Sequence, residues 1–75
     1  MHRVDPSPAA VLAAYKNLYN ENRRPPSMRE LANLLNTRHG LIRDRLLELD
    51  ELEQDATGTF VPVDNAAAIR WLNAA

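Results

Sequence analysis

Arg38, His39, Gly40, Arg43 and Asp44 fall within one seven-residue stretch, and their side chains do recognition chemistry rather than bond-making. A guanidinium fork donates paired hydrogen bonds to planar acceptors and to phosphates. An imidazole donates or accepts, a carboxylate accepts, and a glycine lets a partner approach the backbone. Residues for covalent chemistry are not assembled anywhere: there is no cysteine, no Ser-His-Asp set and no glycine-rich phosphate loop. His2 and His39 lack metal-ligand spacing. The acids Glu48, Asp50, Glu51, Glu53 and Asp55 lack the alternating spacing and central glycine of a calcium loop, and read as a solvated face. The chain is therefore not expected to be an enzyme or to hold a metal or cofactor.

The elements that must position the 38–44 set are two short helices. Pro25 and Pro26 stop whatever precedes them, and Ser27 with Glu30 three residues later forms a capping-box pattern. A helix over about 28–35 then carries Leu31, Ala32, Leu34 and Leu35. Asn36-Thr37 interrupts it, and a second helix over about 38–51 presents Ile42, Leu46, Leu49 and Leu52 on one face. Two helices joined by so short a turn cross steeply, and the second projects outward. A projecting helix of this kind is the usual reader of a DNA major groove.

The apolar series supports a more specific comparison. Ala32 stands where a crossing helix demands a small residue, with Leu35, Ile42, Leu46 and Leu49 at three, ten, fourteen and seventeen residues beyond it. This series resembles the winged helix-turn-helix domains of bacterial repressors of the GntR and MarR type. The Asn22-Arg23-Arg24-Pro25-Pro26-Ser27 stretch and the following Arg29-Glu30-Leu31-Ala32 also resemble the N-terminal DNA-binding domain of the LexA repressor. The resemblance covers residues 8–63. In three places the chain departs from the pattern: Asn36 replaces the usual turn glycine, Thr37 an apolar residue, and Asp50-Glu51-Leu52-Glu53-Gln54 the glycine-containing passage into the wing.

The resemblance implies a base-reading role for His39, Gly40, Arg43 and Asp44. Arg43 would grip the O6 and N7 of a guanine, His39 would bond a base or phosphate, and Asp44 would accept from a cytosine amino group or else pair with Arg43 or Arg45. Gly40 is either a point of close approach or a tolerated small residue. Arg23, Arg24, Ser27, Arg29, Thr37 and Arg38 would contact DNA phosphate, with Ser27 also serving as a cap. The wing tip, 55–59, has no basic residue and is flanked by Glu53 and Asp55, so strong contact there is not expected.

The remaining elements complete a mainly α domain with a small β-hairpin. Met1–Asp5 should fray. Ser7 and Pro8 start a first helix over about 8–22, with Val11, Leu12, Tyr15, Leu18 and Tyr19 in one apolar stripe. Tyr15 and Tyr19 read as core. A hairpin should span about 52–63, turning at Asp55-Ala56-Thr57-Gly58, with Pro62 confining its strand to an edge. Asp64 or Asn65 should cap a last helix over about 66–73, whose Ile69, Trp71 and Leu72 either close the core or form a dimer or partner patch.

Seventy-five residues allow a single domain with a modest core, taken here as a complete small protein, in which a homodimer interface would add burial. The net charge of −1 is unevenly distributed. Residues 1–47 carry eight Lys or Arg against four Asp or Glu; residues 48–75 carry one Arg against six acids. Such a chain can turn a basic face to DNA and an acidic one away. No apolar run reaches the length of a membrane span, and the lack of cysteine fits a reducing cytoplasm, that of a bacterium or a phage-infected cell.

The leading expectation is sequence-specific double-stranded DNA binding by a small transcriptional regulator. Its size fits a phage or mobile-element repressor or a recombination directionality factor. The rival is a protein-interaction module on the same fold, binding a regulator, polymerase subunit or replication protein through the acidic wing or the C-terminal helix.

Overall fold

The computed structural model of the chain describes residues 5–73; Met1–Val4, most of the stretch expected to fray, lie outside the described residues. Four helices and one hairpin follow in the order α1 (Pro8–Asn22), α2 (Met28–Leu35), α3 (His39–Leu47), β1 (Leu52–Gln54), β2 (Phe60–Pro62) and α4 (Asn65–Asn73). The protein is mainly helical with a two-stranded antiparallel hairpin.

The helix starts follow their side chains. Ser7 Oγ accepts from the Ala10 amide at 3.1 Å, with Pro8 in the first turn where no amide is needed. At α2 the capping box is complete: Ser27 Oγ accepts from the Glu30 amide and Glu30 Oε1 from the Ser27 amide, both at 3.1 Å. At α4, Asp64 rather than Asn65 is the cap, its Oδ1 accepting from the Ala66 amide at 3.0 Å.

The turn between α2 and α3 is made by Asn36, in the left-handed region at φ 52° and ψ 52°. Asn36 donates to the Asn33 carbonyl and Thr37 to that of Ala32, a Schellman closure. Asparagine tolerates this backbone better than most L residues, which accounts for its standing where glycine is usual.

Helix α3 is shorter than expected, ending at Leu47 instead of near Glu51. The Glu48 and Leu49 amides turn inward to carbonyls three residues back, Arg45 and Leu46. This tight last turn swings Leu49 onto the core outside the helix and frees Leu52 to begin β1, so Leu52 is buried from the hairpin rather than from α3. In the hairpin Leu52 pairs with Pro62, Glu53 with Val61 and Gln54 with Phe60. A sheet of two strands has only edges, so Pro62 removes no needed ladder bond. The turn is organised by Asp55, whose Oδ1 accepts from the Thr57 amide, the Thr57 hydroxyl and the Thr59 amide at 2.9, 2.6 and 3.0 Å. Gly58 supplies the positive φ, 85°, that the turn requires.

Helix α1 is the centre of the packing, touching α2, α3 and α4. Val11, Tyr15, Leu31, Ile42 and Leu46 are the large fully buried side chains. Tyr15 also donates its hydroxyl to the Phe60 carbonyl at 2.6 Å, tying α1 to the hairpin and satisfying a buried polar atom. Burial, and secondarily Tyr19, pushes this phenol far above its ordinary titration range. Trp71 stands edge-on to Tyr15 and Tyr19, with ring centroids 5.9 and 6.0 Å away. Of the apolar residues of α2, Leu34 is exposed: it flanks Leu31 at the margin of the core-facing side, which Leu31, Ala32 and Leu35 occupy.

Candidate nucleic-acid interface

Helix α3 has two unlike faces. Leu41, Ile42 and Leu46 are buried, and Arg45 is turned aside, its Nε donating to the Pro6 carbonyl at 3.1 Å and its Nη1 3.9 Å from Glu48. Opposite them His39, Gly40, Arg43 and Asp44 are all exposed, as a helix of 3.6 residues per turn requires. The structure thus brings the four predicted base-reading residues onto one face. Asp44 makes no ion pair with Arg43 or Arg45 among the described residues; the carboxylate beside Arg45 is that of Glu48.

The start of α3 is open. Arg38 is the N-cap residue and makes no side-chain capping bond, whereas α1, α2 and α4 each have one. The first amides of α3 therefore have no capping side chain, and the exposed Arg38 and His39 stand beside them. Nothing inside the protein requires Gly40 to be glycine, since a Cβ built there meets no atom within 4 Å.

The six predicted phosphate-contacting residues divide. Arg38 and Arg29 are exposed and have no hydrogen-bond or ion-pair partner among the described residues. Thr37 is half-buried and its amide closes the α2 turn. Ser27 is occupied by the capping box. Arg24 pairs with Glu30, Nη1 to Oε1 at 2.8 Å, and this pairing, with the Ser27 amide second, holds the Glu30 carboxyl below its ordinary range. Arg23 ends α1 in the left-handed region at φ 58° and donates from Nη1 to the Leu72 carbonyl. That backbone costs an ordinary L residue about 1–2 kcal/mol, offset here by the bond that Arg23 makes to the end of α4. Asn20 reinforces it, donating to the Trp71 and Leu72 carbonyls at 2.8 and 3.1 Å. Sequence reading missed this joint between α1 and α4, because it joins residues about fifty positions apart.

Ile69, Trp71 and Leu72 do not form one exposed patch. Trp71 is buried against Tyr15 and Tyr19, Leu72 is half-buried, and only Ile69 is exposed. The aromatic ring is the larger apolar body, and α1 offers it two rings and the Lys16 ammonium, 5.4 Å from its centroid.

The hairpin carries Glu51, Glu53 and Asp55 exposed, but these acids are not equivalent. Asp55 is held below its ordinary titration range, first by the Thr57 hydroxyl and then by turn amides, so its charge organises the turn. The turn faces the start of α2 across a cleft of about 210 Å³ lined by Ser27, Met28, Gly58 and Phe60 among others. Among the described residues no three His, Asp or Glu are placed to share a metal ion, and no helix is long and apolar enough to cross a membrane.

The chain matches no family model, no curated protein and no solved structure.

Proposed function

We propose that this chain binds double-stranded DNA in a sequence-dependent way, as a small transcriptional regulator, through a winged helix-turn-helix arrangement with α3 as the reading helix. The observation that carries this reading is the exposed face and open start of α3, where Arg38, His39, Gly40 and Arg43 gather without internal partners. Unused amides at a helix start and nearby guanidinium groups favour phosphate, and an arginine fork on the exposed face suits a guanine edge. Arg29 adds a second uncompensated charge from α2. In this reading Gly40 allows close approach, and Asp44 accepts from a base. Phosphate contacts supply salt-dependent affinity and α3 supplies preference. The reading is completed by a repressor of phage or mobile-element type, working in the cytoplasm and as a homodimer on two half-sites.

The test is selection from a random duplex library at near-physiological salt. An enriched motif is expected, and Arg43→Ala should lose its preference at one position. Recovery of no motif would sink the reading.

The acidic hairpin favours a second reading, a protein-interaction module engaging a basic partner through Glu51 and Glu53. Glu53→Lys separates the two, because Glu53 makes no hydrogen bond or ion pair through its side chain among the described residues, whereas reversing Asp55 would break the turn. A DNA binder gains affinity from Glu53→Lys, and a module using the acidic hairpin loses its partner.

A further inference from the structure

Helix α3 exposes one more side chain beyond His39, Gly40, Arg43 and Asp44. Leu47, its last residue, is 57% exposed while the adjacent Leu46 is buried. A singly exposed leucine needs no explanation by itself. Its register, however, is that of the candidate reading face: Gly40, Arg43, Asp44 and Leu47 are spaced i, i+3, i+4 and i+7, one stripe along a helix. All four are exposed. The stripe thus runs from a gap at Gly40, through a donor fork and an acceptor, to an apolar tip.

We infer that Leu47 contacts the 5-methyl group of a thymine, extending base readout to the far end of α3. This rests on the DNA-binding reading above. The thymine methyl is the apolar group that base edges offer in the major groove, and it is what an exposed aliphatic tip beside an arginine fork can recognise. Arg43 and Leu47 are four residues apart, about 6 Å along the helix axis. A reading helix lies at an angle in the groove and places residues three or four apart on neighbouring bases, so the methyl belongs one or two pairs from the guanine gripped by Arg43, toward the C-terminal end of α3. Leu34, Val63 and Ile69 are similarly exposed, but none of them lies on α3, so none shares its stripe.

The experiment uses the full chain and its selected site, with each thymine replaced in turn by deoxyuridine, which removes only the methyl group. Fluorescence anisotropy titrations then compare wild type, Leu47→Ala and Leu34→Ala. One replacement should weaken wild type about three- to tenfold, the scale of burying one methyl group. The same replacement should cost Leu34→Ala as much as wild type and Leu47→Ala nothing. Circular dichroism should show both variants folded, since neither side chain is in the core. The inference is overturned if the selected site has no thymine at that spacing, if every deoxyuridine is neutral, or if the penalty survives in Leu47→Ala. Selective binding without methyl dependence removes Leu47 alone, whereas the absence of any bound duplex removes the DNA reading together with it.

Discussion

Helices α2 and α3 begin from nearly the same backbone: Ser27 at φ −79°, ψ 162° and Arg38 at φ −95°, ψ 155°. From there they diverge. The start of α2 is closed, with both halves of the capping box made, Arg24 bound to Glu30, and the hairpin turn facing it across a cleft. The start of α3 is open, with no side-chain cap and with basic side chains unpaired among the described residues. A start like that of α2 contributes to folding and leaves little for a partner. A start like that of α3 forgoes about 1 kcal/mol of capping, which is intelligible if another molecule completes it.

The largest expected contrast lies between arginines. Arg43→Ala should cost about 1–3 kcal/mol of binding to the selected site and relax preference at one position. Arg24→Ala should change affinity far less, because its charge is already neutralised by Glu30. Equal losses in anisotropy titrations would break the contrast between the two starts.

Exchanging the caps sharpens it. Ser27→Ala should lower stability by about 1 kcal/mol in urea unfolding, because the Glu30 amide loses its acceptor, Ser27 Oγ. Arg38→Ser should do the reverse at α3, raising stability by up to about 1 kcal/mol while weakening DNA binding. A more stable Arg38→Ser protein that binds undiminished would show that the open start is not where DNA sits. Gly40→Ala is the milder version of the same trade. The new Cβ has room inside the protein, so stability should rise by about 0.5–1 kcal/mol and affinity should fall. Stabilisation with unchanged affinity would make Gly40 merely a tolerated residue.

What could be read from the residues alone was local. The caps at Ser7 and Ser27, the turn at Asn36 and the Asp55–Gly58 reversal each depend on side chains within a few positions, and each is found as expected. The end of α3 was not legible, because Leu49 and Leu52 continue a helical apolar spacing that the tight turn at Glu48 cancels. Nor was the fate of the charges. Arg23 and Arg24 look like any basic pair before a helix, yet the left-handed residue at 23 sends one to α4 and leaves the other beside Glu30. The α3 face was legible because helical periodicity sorts it without knowledge of the rest of the fold.

The smallest expected effect is electrostatic and belongs to α2. Glu30 is held below its ordinary value of 4.5, chiefly by Arg24, so the unfolded chain takes up its proton at a higher pH than the folded protein does. The resulting stability is complete above the unfolded value and is lost as pH falls through the depressed folded one. Glu30→Gln keeps an acceptor for the Ser27 amide and removes only the charge. Wild type should therefore be slightly more stable than Glu30→Gln at pH 7, with the gap closing in urea titrations run from just above pH 4.5 downward. The gap is small because the pair is exposed and salt-screened. Arg43→Ala should leave that acid limb as in wild type, since Arg43 has no carboxylate partner among the described residues. A gap between wild type and Glu30→Gln that stays constant with pH would mean that the amide perturbs packing, and that the closed start of α2 owes its stability to hydrogen bonds rather than to charge.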